Sequence, residues 1–142
     1  LHGLHDGLAG GPEEEHQDDE QLRRGKGLDH TFVLDGPADD TGLRRAARLR
    51  GAGGRVFEVL TDQPGVQVYT GAHFDHSIVG LSGATYSPRA GIALETQGFP
   101  DAVHHSHFPD TVLRPGIPFH STTFRRSRVA MSSVSTCART PR

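Results

Sequence analysis

The chain has 142 residues, of which 34% are hydrophobic, and a formal net charge of −2, which gives no indication of a nucleic-acid partner. No apolar run approaches the roughly 20 residues of a membrane-spanning helix, so no membrane segment is expected. The single cysteine, Cys137, excludes an internal disulfide and is typical of a reducing compartment, so we expect a cytoplasmic protein.

Residues 1–26 carry much charge and few large apolar side chains. Six carboxylates lie between Glu13 and Glu20, and three basic residues follow them. Such a segment buries too little apolar surface to offset its ordering entropy, so we predict a disordered segment or loop. A weak helix over 13–24 is the alternative, because acidic residues before basic ones suit the helix dipole. The chain starts with Leu1 and its one methionine is Met131, so we expect that the true N-terminus is missing or was removed.

From residue 27 onward, short runs of alternating apolar and polar residues are separated by glycine and proline. This pattern predicts strands at 28–34, 43–49, 55–61, 66–70, 92–97 and 119–124. The run 43–49 also fits a short helix, but the glycines after it favour a hairpin turn between strands. Residues 126–142 show no period and are predicted to form an irregular tail. We therefore predict an all-β fold, an antiparallel sheet or sandwich, over residues 27–125.

Glu95 lies in the predicted strand at 92–97, among apolar neighbours. Alternation places Glu95 on one face of that strand and Leu94 on the other. A carboxylate on a mostly apolar strand costs free energy unless it is paired, hydrogen-bonded or solvated in a cleft. An edge-strand carboxylate that faces water is the alternative to a functional role.

Three blocks of sequence carry a resemblance to a known family. The blocks LDHTFVLDG, GGRVFEVLTDQPGVQVYTG and GIALETQGFPDAV, followed by FPDTVLRPG, resemble the C-terminal part of the aldose 1-epimerase (galactose mutarotase) family. The resemblance covers residues 27–124, in continuous order and with similar spacing. It implies an antiparallel β-sandwich of the galactose mutarotase type, here incomplete. It also implies interconversion of the α and β anomers of free hexoses such as glucose and galactose, without a cofactor.

The resemblance assigns roles to three residues. Glu95 in LETQ matches the catalytic base, Asp29 in LDHTF matches the carboxylate that holds sugar hydroxyls, and Gln67 in QPGVQ matches a substrate-contacting amide. The family's acid is a histidine in an asparagine–histidine segment further upstream, and nothing in residues 1–26 matches it. A non-catalytic carbohydrate-binding or structural remnant of the family is therefore the alternative.

Histidines elsewhere give weaker indications. His104, His105 and His107 form a cluster that could hold a metal or supply a replacement acid, but its loop setting favours solvated side chains. His104 and Ala72 each replace an asparagine that is usual in the family. His30 neighbours Asp29, yet alternation turns it to the opposite face. We expect no metal and no cofactor, and the oligomeric state is left open.

Overall fold

A computed structural model of the chain describes residues 19–51 and 53–129. One short α-helix, α1, six strands and a single-turn 3₁₀ helix lie in these ranges. Their bounds are Glu20–Gly25 (α1), Asp29–Val33 (β1), Arg44–Arg50 (β2), Arg55–Thr61 (β3), Gly65–Tyr69 (β4), Ala93–Gln97 (β5), Ala102–His104 (3₁₀ helix) and Thr123–Val129 (β6). No helix in the described ranges is long and apolar enough to cross a membrane.

The strands form two antiparallel sheets of three strands each. The first sheet has the order β1-β4-β5, and the second has the order β2-β3-β6. The prediction of an all-β antiparallel fold is confirmed. The stretch 43–49, which also fitted a helix, lies almost entirely in strand β2 (Arg44–Arg50), which pairs with β3 as the predicted hairpin requires.

The hydrophobic core joins one face of each sheet. Val59 of β3 is 1% exposed, and Val66 and Val68 of β4 are 0% and 3% exposed. They cluster with Leu28, Ala46 and Ala47. Burial of a valine side chain is worth roughly 1.5–3 kcal/mol, so these contacts hold the two sheets together. The core takes every second residue of β4, which leaves the alternate residues on the outer face of the first sheet.

Two elements differ from the sequence-based prediction. Residues 20–25, placed in a disordered segment or loop, form α1, where the Asp19 carboxylate caps the helix by accepting from the backbone N–H of Gln21 at 2.7 Å. Leu22 of this helix packs against the core. Strand β6 begins at Thr123 and ends at Val129, so residues 119–122 of the strand predicted at 119–124 are not in a strand, and residues 126–129, placed in the tail, pair with β3.

Candidate functional site

Gln67 lies at the centre of the outer face of the first sheet. It pairs in register with Thr31 of β1 on one side and with Glu95 of β5 on the other. Directly paired residues in an antiparallel sheet point to the same face, and Val66 and Val68 beside Gln67 are buried in the core. The side chains of Thr31, Gln67 and Glu95 therefore form a row across three strands on the outer face.

The Gln67 amide is hydrogen-bonded at both ends. Its Nε2 donates to Oδ1 of Asp29 over 2.7 Å. Its Oε1 accepts a hydrogen bond from the Thr31 hydroxyl. The Nε2 of Gln97 lies 3.5 Å from the same hydroxyl oxygen. Asp29, two residues before Thr31 on β1, is thus brought onto the same face and next to Gln67.

Glu95 is exposed and faces solvent beside Gln67. Within the described residues its carboxylate makes no hydrogen bond or ion pair with another side chain. Side chains directly opposite on antiparallel strands have Cβ atoms about 4.5–5.5 Å apart, so one small molecule can touch both Gln67 and Glu95. A carboxylate in this setting is free to accept a proton from a bound ligand.

An aromatic group borders the polar row at one end. Tyr69 pairs in register with Asp29 and with Ala93, and so lies on the same face. Its ring is stacked against His73 with centroids 6.2 Å apart, and meets Phe74 edge-on at 6.1 Å. Aromatic rings offer apolar surface together with a polar tip, which suits a ligand with both C–H and hydroxyl groups.

Comparison with known proteins identifies the family. The family model described as aldose 1-epimerase matches residues 9–124. The chain belongs to the aldose 1-epimerase family. The match begins well before residue 27, where the resemblance read from motifs began.

Curated relatives agree with this assignment. The chain is 48% identical over 105 residues to galactose mutarotase from Bos taurus and 44% identical over 104 residues to galactose mutarotase from Homo sapiens, which is 73% of this chain and 30% of each relative. It is 35% identical over 108 residues to aldose 1-epimerase from Escherichia coli (strain K12), over 74% of this chain and 30% of the relative. The chain therefore spans about 30% of the length of the curated relatives it matches.

His30, His104 and His105 lie away from the polar row, whereas His73 stacks on Tyr69 at the end of that row. His30 points to the opposite face of β1, and its Nε2 lies 3.1 Å from Oε1 of Gln21 in α1. His104 is hydrogen-bonded to Asp101, and Nε2 of His105 lies 3.4 Å from the second oxygen of the same carboxylate. No group of three or more possible metal ligands is found among residues 19–51 and 53–129.

The structure brings together all three residues that the resemblance singled out, Asp29, Gln67 and Glu95, on one face of the first sheet. It places Thr31 and Gln97, to which no role was assigned from the sequence, beside them. The signal for both was their spacing, since each lies two residues from a candidate on the same strand. Their contact with Gln67, direct for Thr31 and through Thr31 for Gln97, depends on the pairing of β1, β4 and β5.

Proposed function

We propose that this chain carries the sugar-binding carboxylate, the sugar-binding amide and the base of an aldose 1-epimerase site. The reaction is the interconversion of α and β anomers of free hexoses such as glucose and galactose. The observation that carries the proposal is the row on the outer face, in which Gln67 is hydrogen-bonded to Asp29 over 2.7 Å and lies opposite the exposed Glu95.

Each residue has a role that its chemistry allows. The Glu95 carboxylate takes the proton of the anomeric hydroxyl, while an acid protonates the ring oxygen and the C1–O5 bond breaks. Rotation about C1–C2 exposes the other face of the aldehyde, and the reverse proton transfers close the ring as the other anomer. Asp29 accepts hydrogen bonds from sugar hydroxyls, and the remaining N–H of Gln67 donates one. General acid–base groups of this kind typically contribute about 10²–10⁴-fold each.

A sugar titration tests the binding half of the proposal. Galactose is added to the isotope-labelled 142-residue chain, and shifts are followed in the side-chain amide of Gln67 and the backbone amides of Asp29 and Glu95 by NMR. We expect shifts confined to this face, and a loss of binding in Asp29→Asn. Absence of saturable shifts at these residues, or shifts elsewhere on the chain, would overturn the proposal.

The catalytic half needs a separate variant. Glu95→Gln keeps the size of the side chain but removes the base, so the slight acceleration of mutarotation over buffer that we expect of this chain should disappear when measured by polarimetry. Glu20→Gln is the matched control, since Glu20 lies in α1 and makes only an exposed ion pair with Arg24. An equal loss in both variants would remove Glu95 from the mechanism.

A non-catalytic carbohydrate-binding role is the second candidate. It is favoured by one observation, that three histidines in the described ranges, His30, His104 and His105, make their contacts away from the polar row, although His73 stacks on Tyr69 at the end of that row. Saturable galactose binding with a mutarotation rate equal both to that of Glu95→Gln and to that of buffer would support this role over catalysis.

A further inference from the structure

We infer that Thr31 is a positioning residue that fixes the orientation of the Gln67 amide for sugar binding. This inference rests on the proposed function and extends it to a residue that makes its contribution through Gln67. Thr31 lies directly opposite Gln67 in the register of β1 and β4, and its side chain is half-buried beside the amide.

The direction of each hydrogen bond follows from the chemistry of the groups. Nε2 of Gln67 donates to Oδ1 of Asp29, so the part of the amide that faces Asp29 is the NH₂ group. The carbonyl Oε1 must then face Thr31, and because a carbonyl only accepts, the hydroxyl of Thr31 has to donate. With its one proton committed, the hydroxyl oxygen can accept from Nε2 of Gln97, which lies 3.5 Å away.

This arrangement leaves defined groups free for a ligand. The second N–H of Gln67 and the second oxygen of Asp29 are not used between the two side chains. Without the Thr31 hydroxyl, the amide keeps only its hydrogen bond to Asp29 and can pivot about it. The second N–H of Gln67 then no longer points in a fixed direction, so the affinity for a sugar hydroxyl that accepts from it falls although no group that touches the sugar has been removed.

Thr31→Val removes the hydroxyl while keeping the shape of the side chain and its preference for a strand. In Thr31→Val we expect the two side-chain amide proton resonances of Gln67 to move and to exchange faster with solvent. We expect galactose affinity to fall about 3- to 10-fold, the value of one ordinary hydrogen bond. Thr31→Ser retains the hydroxyl and should restore both the resonances and the affinity.

Thr96 offers the matched control. It lies on β5 in the same sheet but pairs with the buried Val66, and its hydroxyl is 2.7 Å from that of Thr123. Thr96→Val therefore makes the same chemical change as Thr31→Val and also removes a hydroxyl contact, the one with Thr123, but on the core face of the sheet. A general loss of stability would affect Thr31→Val and Thr96→Val alike, whereas a positioning role moves the Gln67 resonances only in the former.

The outcomes separate this inference from the proposed function. If the unaltered chain binds galactose and Thr31→Val binds it equally well, the positioning role is wrong and the proposed function stands. If the unaltered chain binds no galactose, the proposed function fails, and the inference fails with it. Unchanged Gln67 resonances in Thr31→Val would overturn the inference in either case.

Discussion

Glu58, in the middle strand of the second sheet, shows how a single residue can tie strands together. Its surface is 4% exposed, and its carboxylate accepts from Nε and Nη2 of Arg126 at 3.0 and 2.7 Å. Arg48 and Arg128 lie within 3.6 and 3.8 Å of the same carboxylate. The hydrogen bonds from Arg126 above all hold the pKa of Glu58 below its ordinary value, against desolvation, which raises it. A buried carboxylate is tolerated because these guanidinium groups pair with it.

Glu58→Gln should lower the free energy of unfolding by about 1.5–3 kcal/mol, since it removes charge-assisted hydrogen bonds and leaves three guanidinium groups facing one another. The unfolded chain takes up the Glu58 proton at a higher pH than the folded chain does. The stability that the carboxylate provides is thus present at neutral pH and is lost as the pH falls below about 4.3.

Urea unfolding of the unaltered chain and of Glu58→Gln, from about pH 7 down to about pH 3, measures this difference. The two unfolding free energies should converge as the pH falls. Asp39, Asp75 and Asp110 also have lowered pKa values, but they act in both proteins and cancel in the comparison. A difference that stayed constant with pH would show that the charge of Glu58 is not the cause.

Strands could be predicted from the sequence where apolar and polar residues alternate along them. Strands β1, β3, β4 and β5 alternate apolar and polar residues between glycine and proline turns, and were predicted to within a few residues. The last strand was predicted at 119–124 but lies at 123–129, because residues 125–129 are exposed and do not alternate, and Arg126 is held there by Glu58 on β3. Helix α1 is held by the Asp19 cap and by Leu22 on the core. Pairing between distant strands, which also creates the Thr31–Gln67 contact, is not encoded in any one segment.

The turn after β4 depends on a glycine beside the aromatic group. Gly71 has φ +68°, and a Cβ there would lie 3.1 Å from ring carbons of Phe74 and 3.3 Å from the carbonyl oxygen of Gly91. We expect Gly71→Ala to destabilise the chain by about 1–2 kcal/mol from the left-handed backbone alone, and more from the close contacts. Gly83→Ala separates the two causes, since Gly83 has φ +80° and no atom within 4 Å of its added Cβ.

Near-ultraviolet circular dichroism reports on this turn specifically. The chain has two tyrosines and no tryptophan, and both Tyr69 and Tyr86 contact Phe74. Gly71→Ala should change the tyrosine signal at temperatures where the chain is folded, whereas Gly83→Ala should not. Equal losses of stability with an unchanged tyrosine signal would mean that the contact with Phe74 relaxes at no cost.

The two faces of the first sheet have different roles in the protein. The inner face supplies Val66 and Val68 to the core, and the outer face carries the polar row. This division lets exposed polar groups be held by a rigid strand without burying any unpaired charge. The second sheet contributes Val59 to the same core, so changes in its ion cluster at Glu58 should alter stability without altering the polar row.

The 142-residue chain itself should catalyse mutarotation only weakly. Ring opening needs a base at the anomeric hydroxyl, the role that we propose for Glu95, and an acid at the ring oxygen. Residues 1–26 hold nothing like the asparagine–histidine segment that the resemblance implies for the acid, and His104 and His105 contact Asp101 on an exposed turn. Without a positioned acid, the rate should be about 10²–10⁴-fold lower, which corresponds to an activation free energy about 3–5 kcal/mol higher.

We therefore expect polarimetry of freshly dissolved α-glucose to show a mutarotation rate barely above that in buffer, with galactose mutarotase from Bos taurus as the positive control. Replacing His104, His105 and His107 by glutamine should leave that rate unchanged. Rapid mutarotation that these substitutions abolish would instead identify the acid in this histidine cluster.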